Sequence, residues 1–183
     1  STAVRRSKAE PRGTVPICCF SSAVSGRLIR WFLMMGAIMA EHDPRAILSA
    51  FAEALADLLQ DADLVRAGPE EISITTELAM KIDRYFAGWR VSPEWTRREA
   101  EEKKIAWNDE AGALRLKKIR PDIIVHHMHK QDENLLVVEA KRVQNTSFED
   151  DIRKLTLMTL EQSVHPEYHY GYVVGVHLVI DLP

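Results

Sequence analysis

The sequence predicts one domain of the α/β or α+β class, in which helices pack on a sheet. Two apolar stripes with helical spacing come first, followed by three β-rich runs, another helical stripe and a last β-rich run. With 183 residues and 46% hydrophobic content, the chain can bury one ordinary core. The predicted order is therefore helix, helix, strand, strand, strand, helix, strand.

Residues 1–40 are expected to be a disordered or non-native leader, and residues 41–183 the single domain. The start of the leader is rich in Ser, Arg, Pro and Gly without clear periodicity, and Met39 is interpreted as a natural start. The apolar run from Leu28 to Ala40 is shorter than the roughly 18 residues of a membrane span, so no membrane partner is expected. Cys18 and Cys19, the chain's two cysteines, suit neither an ordinary disulfide nor a C-x-x-C metal site, so the expected localisation is cytoplasmic.

Two helices are predicted before the sheet. Asp43 is the N-cap and Pro44 the first residue of a helix whose apolar residues recur on one face. A second helix is predicted to open after Gly68. Glu71 lies on its apolar stripe, near the N-terminus, where the helix dipole favours an ionised carboxylate. Glu77 competes with it as the helix carboxylate but lies on the polar face.

A strand is predicted from Trp89 to Trp95, and Pro93, which cannot donate to a ladder, indicates either an edge position or a bulge. The long, charged connection from Arg98 to Lys118 is a candidate for contacting phosphates, and a surface ribbon of solvated salt bridges is the alternative. The basic residues are Arg97, just before the connection, and, within it, Arg98, Lys103, Lys104, Arg115, Lys117 and Lys118.

The most informative stretch is a predicted hairpin from Ile119 to Arg142. Two apolar runs flank a polar turn, and a turn centred between Lys130 and Gln131 places Asp122 across from Glu139. Facing residues of an antiparallel pair have Cβ atoms roughly 4.5–5.5 Å apart, so the two carboxylates are close enough to share a divalent cation.

The chemistry of this hairpin favours a hydrolytic phosphodiester site. Clustered carboxylates hinder each other's ionisation, and a bound cation removes that cost. Oxygen ligands without cysteine favour Mg²⁺ or Mn²⁺. Lys141 shares the face of Glu139 by the period-two alternation of a strand, and its ammonium could position a nucleophile or offset charge on the phosphorane. The alternative is an edge hairpin with solvated charges, although both strands are apolar on both faces.

His126 lies roughly 13 Å from Asp122 along the strand, so it is not expected to bind the same ion. The histidines after the first strand are interpreted as exposed residues of the hairpin tip. Beyond the hairpin, a helix is predicted from Phe148 to Gln162 and a last strand from Tyr172 to Ile180.

The segments 119–126, IRPDIIVH, and 136–142, LVVEAKR, resemble the PD-(D/E)xK nuclease superfamily, whose members have a restriction-endonuclease-like fold, and are especially similar to its small bacterial members. The resemblance covers about residues 69–181. It implies an αβββαβ core, a mixed central sheet flanked by helices, with the first helix of this chain as an extra N-terminal element. It also implies a metal-dependent nuclease that acts on DNA by default.

The resemblance assigns roles to individual residues. Asp122 and Glu139 are implied to bind Mg²⁺ or Mn²⁺, with Lys141 as catalytic base or charge stabiliser. Glu71 is expected to be the further carboxylate that the superfamily often supplies from the helix before the sheet. The segment around Lys154 resembles one that carries a second basic residue near the scissile phosphate. Candidates for nucleic-acid binding are Lys154, Arg142, Lys117 and Lys118.

Charge leaves the function open to alternatives. The chain has a net charge of −3, with a basic leader and an acidic body, which argues against a strong nonspecific grip on nucleic acid. The chief rival to a nuclease is a catalytically silent binding or assembly module with the same fold, and a third interpretation is a sugar- or nucleotide-binding α/β protein. Nucleic acid is the expected partner, and a homodimer is an open expectation.

Overall fold

The structure is a computed structural model that describes residues 17–24, 27–35, 42–98, 101–128, 130, 133–145 and 148–182. The α-helices are α1 (Pro44–Gln60), α2 (Ala62–Ala67), α3 (Glu71–Asp83) and α4 (Glu149–Met158). The strands are β1 (Ile17–Val24), β2 (Arg27–Met35), β3 (Arg90–Pro93), β4 (Arg97–Arg98), β5 (Glu101–Glu102), β6 (Lys104–Asn108), β7 (Leu114–Lys118), β8 (Ile123–His126), β9 (Asn134–Arg142) and β10 (Val174–Ile180).

Six strands form one mixed sheet in the order β1-β2-β10-β9-β8-β3. The neighbours β9 and β10 are parallel, and α4 lies in the crossover connection that such a pair requires. The other neighbouring pairs are antiparallel. The structure therefore confirms a mixed α and β domain with a sheet flanked by helices. It also confirms that the strand containing Pro93 lies at a sheet edge.

Alternate residues of the central strands enter two separate cores. Ile123, Val125, Leu136 and Val138 pack with residues of α1 and α3, whereas Ile124 and Val137 pack with residues of α4. Both faces of the sheet are thus covered, which explains why these strands are apolar throughout. By the same alternation Asp122, Glu139 and Lys141 belong to the face that α4 covers.

Gly175 of β10 lets α4 approach the sheet closely. A Cβ atom at this position would lie 2.9 Å from Cγ2 of Thr159, just after the end of α4. The last turn of α4 therefore rests almost on the backbone of β10, and α4 also contacts the neighbouring strand β9.

The N-terminal expectations hold in part. Asp43 caps α1 by accepting a hydrogen bond from the Arg45 amide at 2.9 Å, as predicted, and α3 begins at Glu71. Residues 1–40, however, include β1 and β2, where the sequence predicts a leader without regular structure. The backbone of β2 pairs antiparallel with β10. The domain boundary at residue 41 stays a prediction.

Two further expectations differ from the structure. The connection 98–118, for which the sequence predicts no strand, holds β5, which pairs with β4, and the hairpin β6–β7. His126 is not exposed at a tip: it is 7% exposed, and its Nε2 lies 3.2 Å from Oγ of Ser92 on β3. Burial lowers the pKa of His126 to about 4, and the charges of Lys103 and Arg90 contribute to this lowering.

Candidate functional site

The predicted register of the hairpin is confirmed from Ile123 to Val125, and it shifts between Val125 and His126. Ile123 pairs with Val138. Asp122, the residue just before β8, therefore lies opposite Glu139 of β9. The carboxylate of Asp122 accepts a hydrogen bond from the amide of Ala140 at 2.7 Å. This bond ties Asp122 to the backbone between Glu139 and Lys141, and it brings the three residues of the motif to one place on the α4 face of the sheet.

Glu139 is the most deeply buried carboxylate of this site, at 1% exposure. Its Oε2 accepts a hydrogen bond from Nζ of Lys154 at 2.5 Å, while its Oε1 has no hydrogen-bond partner among the described residues. Burial raises the pKa of Glu139 to about 8; the Lys154 ammonium opposes this rise, and the nearby Asp122 adds to it. Burial thus favours the protonated form of a metal-free Glu139, whereas the Lys154 ammonium favours its carboxylate form.

Burial and neighbouring charges also shift the pKa values of Asp122 and Lys141. Burial raises the pKa of Asp122, although the hydrogen bond from Ala140 and the charges of Lys154 and Lys141 act against it. Burial acts to lower the pKa of Lys141, but the carboxylates of Asp151, Glu71 and Asp122 together raise it above its ordinary value. Lys141 is therefore a stable ammonium at neutral pH.

Glu71 reaches the motif from the first turn of α3. Its Oε1 lies 3.2 Å from Nζ of Lys141, and its Oε2 accepts a hydrogen bond from the amide of Arg142 at 3.2 Å. The expectation that its face of α3 meets the sheet is thus confirmed. In this structure both of its oxygens contact nitrogen atoms of β9, so its role as a metal ligand stays a prediction.

Two residues of the site are not predicted from the sequence, Asp151 and His177. Asp151 is 6% exposed, and its two oxygens lie 3.5 Å from Nζ of Lys154 and 3.8 Å from Nζ of Lys141. His177, on β10 beside Glu139, is fully buried and places Nε2 3.9 Å from Asp151. The sequence does indicate the position of Asp151, because a residue four before the buried Leu155 lies on the same face of α4.

The basic candidates divide into two groups. Lys117, Lys118 and Lys154 line one open pocket of about 330 Å³ beside the motif, whose other lining residues are Ile119, Arg120, Lys141, Asn145, Asp150 and Asp151. Arg142 instead donates hydrogen bonds to the carbonyl oxygens of Pro69 and Leu182, at 2.7 and 3.1 Å. It clamps two backbone segments, so we leave it out of the nucleic-acid surface.

The charges of the site are consistent with a divalent cation. The carboxylates of Glu71, Asp122, Glu139 and Asp151 face the ammonium groups of Lys141 and Lys154. If all are ionised, two negative charges remain unbalanced, which is the charge that Mg²⁺ or Mn²⁺ neutralises. Oε1 of Glu139, buried and without a hydrogen-bond partner among the described residues, is a suitable oxygen donor.

The geometry also sets a limit. Across the described residues, no three Asp, Glu, His or Cys side chains are grouped so that they could hold one metal ion as they stand. The expected set of Asp122, Glu139 and Glu71 is therefore not assembled around a common point. Asp122 and Glu139 are the candidate carboxylate donors, and the Lys154 ammonium contacts one of the two oxygens of Glu139.

Comparisons with known proteins add no assignment: no family model, no curated protein and no solved structure matches this chain. No helix in the described ranges is long and apolar enough to cross a membrane.

Proposed function

We propose that this protein is a metal-dependent nuclease that hydrolyses phosphodiester bonds, those of DNA in the first place. The observation that carries the proposal is the position of Asp122, Glu139 and Lys141 on one face of the sheet, with a buried oxygen of Glu139 that lacks a hydrogen-bond partner among the described residues. The succession α3, β3, β8, β9, α4, β10 supports it, because it follows the αβββαβ order of the PD-(D/E)xK superfamily once the small hairpins are set aside.

The carboxylates and the lysine of the site would have different roles because their charges differ. Asp122 and Glu139 would bind Mg²⁺ or Mn²⁺, which when bound lowers the pKa of a water molecule and polarises a phosphoryl oxygen. Lys141, kept charged by the carboxylates around it, would position the nucleophile or offset the negative charge that develops on the phosphorane. Glu71 would hold Lys141 in place through their 3.2 Å contact.

The pocket beside the motif fits a phosphate-bearing ligand. Lys117 and Lys118 line it, but each also pairs with a surface carboxylate, Asp150 and Glu102 respectively. Such exposed pairs contribute little, so a phosphate group can replace the carboxylates at small cost. The pocket would thus position the nucleic-acid backbone without reading its sequence.

A catalytically silent binding or assembly module is the second candidate, and one observation favours it. The Lys154 ammonium already pairs with Glu139, and the described residues include no ready group of three metal ligands. A fold of this kind could keep its buried charges for structural reasons alone.

The two functions separate in a cleavage assay. Single-stranded, duplex and branched DNA and RNA are incubated with the protein and Mg²⁺ or Mn²⁺, and matched reactions contain EDTA. The proposal predicts cleavage of DNA that EDTA abolishes. No cleavage of any substrate, together with no cation binding by calorimetry, would favour the silent module.

A further inference from the structure

We propose that Lys154 is an internal competitor of the divalent cation at Glu139, and that phosphate binding in the adjacent pocket relieves this competition. The inference rests on the proposed nuclease function and concerns how the same site is regulated. It makes cation binding weak in the free protein and stronger when nucleic acid is present.

The first step is the contact between Lys154 and Glu139. The ammonium donates to Oε2 at 2.5 Å, and both groups are withdrawn from water, with side-chain exposures of 13% and 1%. A cation that binds Glu139 would be held next to this ammonium. Because like charges repel most strongly where water is excluded, the two cations compete for the same carboxylate.

The second step is that Lys154 has another anion within reach. Oδ1 of Asp151 lies 3.5 Å from Nζ, one helical turn earlier on α4. Asp151 is itself buried, and a buried carboxylate without a counter-charge is costly. Lys154 can therefore leave Glu139 while it still neutralises Asp151.

The third step connects this movement to the ligand. Lys154 lines the same pocket as Lys117 and Lys118, so a phosphate group bound there would lie beside its side chain. A phosphate oxygen would replace Oε2 of Glu139 as the acceptor of Lys154 and leave that carboxylate to the cation. The ligand and the cation then each favour the binding of the other, as linkage requires.

The sign of the effect can be tested by removing the ammonium. Without Lys154, no ammonium lies beside the carboxylate of Glu139, so a divalent cation that binds this carboxylate is no longer repelled by a neighbouring positive charge. Loss of a lysine at a proposed catalytic site is thus expected to strengthen cation binding.

The test is calorimetric titration of the full chain with Mn²⁺ in the absence of nucleic acid. We expect Lys154→Met to lower the Kd for Mn²⁺ by about tenfold or more. Arg153→Gln is the matched control, since it removes a positive charge from the same helix where that charge is exposed and paired with Asp150. We expect it to change the Kd by less than about twofold.

A second titration measures the link to phosphate. Lys141→Ala, which is expected to bind Mn²⁺ without cleaving, is titrated with and without a short duplex DNA, and so is the double variant Lys141→Ala/Lys154→Met. DNA should tighten Mn²⁺ binding in the first protein, and this enhancement should be at least about threefold smaller in the second.

The outcomes distinguish this inference from the function on which it rests. If the unaltered protein binds Mn²⁺ and Lys154→Met binds it equally or more weakly, the competition is refuted and the nuclease proposal stands. If neither binds Mn²⁺, both fall. Should Lys154→Met fail to fold by circular dichroism, Lys154→Gln replaces it in the same titration. Gln keeps a hydrogen-bond donor for Glu139 but removes the positive charge, so tighter Mn²⁺ binding would support the competition and equal or weaker binding would refute it.

Discussion

Glu139→Gln should stabilise the metal-free protein near neutral pH, although it removes a proposed metal ligand. Burial raises the pKa of Glu139 to about 8, well above the 4.5 of an ordinary glutamate. Between these two values the folded protein binds the proton and the unfolded protein does not. The free energy of unfolding of the unaltered protein therefore falls as pH rises through this window.

The magnitude follows from that window. At about pH 7 the raised pKa corresponds to roughly 3 kcal/mol, at ~1.4 kcal/mol per pH unit. Gln avoids this cost because it stays neutral, and its amide oxygen can still accept the hydrogen bond from Lys154. We expect a gain of about 1–3 kcal/mol near neutral pH and about zero near pH 4, where the carboxyl group is protonated in the folded state and largely so in the unfolded state.

Urea unfolding followed by circular dichroism in EDTA measures this difference at the two pH values. Glu161→Gln, at an exposed position, is the control, and it should change the free energy of unfolding by less than about 0.5 kcal/mol at either pH. An equal gain for Glu139→Gln at both pH values, or a loss near neutral pH, would refute the reasoning. It would mean that Lys154 keeps Glu139 ionised in the folded protein.

Three further predictions concern cation binding, the orientation of α3 and the buried Lys103. Asp122→Asn should weaken Mn²⁺ binding in calorimetric titration, since it removes an anionic ligand, whereas Lys141→Ala should not weaken it because an ammonium cannot coordinate a cation; equal losses would refute these roles. Glu71→Gln should lower plasmid nicking by about tenfold or more, because Glu71 contacts Lys141, whereas Glu77→Gln should be near neutral, and the reverse result would contradict the orientation of α3. Lys103→Met should stabilise the protein by about 1–3 kcal/mol near pH 7, because burial lowers the pKa of Lys103 to about 7 and the Met variant avoids that cost. Since the unfolded lysine keeps its proton up to about 10.5, the unaltered protein gains stability between these values, and urea unfolding near pH 10 should show a smaller advantage for the variant.

The parts of the site that could be predicted depend on local patterns. The register that brings Asp122 to Glu139 follows from two apolar runs and the length of the turn between them. Glu71 is found because a charged residue on an apolar stripe must end up at the boundary of a core. These features depend on a single hairpin or a single helix, and periodicity is sufficient to place them.

The parts that could not be predicted depend on packing between distant elements. The contact of Lys154 with Glu139 requires α4 to lie close over the sheet, which the steric fit of Gly175 against Thr159 permits. The apolar stripe predicted for α4 runs through Ile152, so the burial of the neighbouring Asp151 is not predicted. In β7 Leu alternates with Arg and Lys, but the charged residues dominate this segment, so the β6–β7 hairpin is not predicted from the sequence.

The most direct measurement of the central claim is nicking of a supercoiled plasmid by the unaltered protein and by Lys141→Ala, at matched protein and Mn²⁺ concentrations. Both proteins are first shown by calorimetry to bind the cation. The unaltered protein should nick the plasmid and lose this activity in EDTA, whereas Lys141→Ala should not nick it, because its metal site lacks the ammonium that offsets charge on the phosphorane. Equal nicking by both proteins, or no nicking by either while Mn²⁺ is bound, would contradict a phosphodiesterase site at Asp122, Glu139 and Lys141.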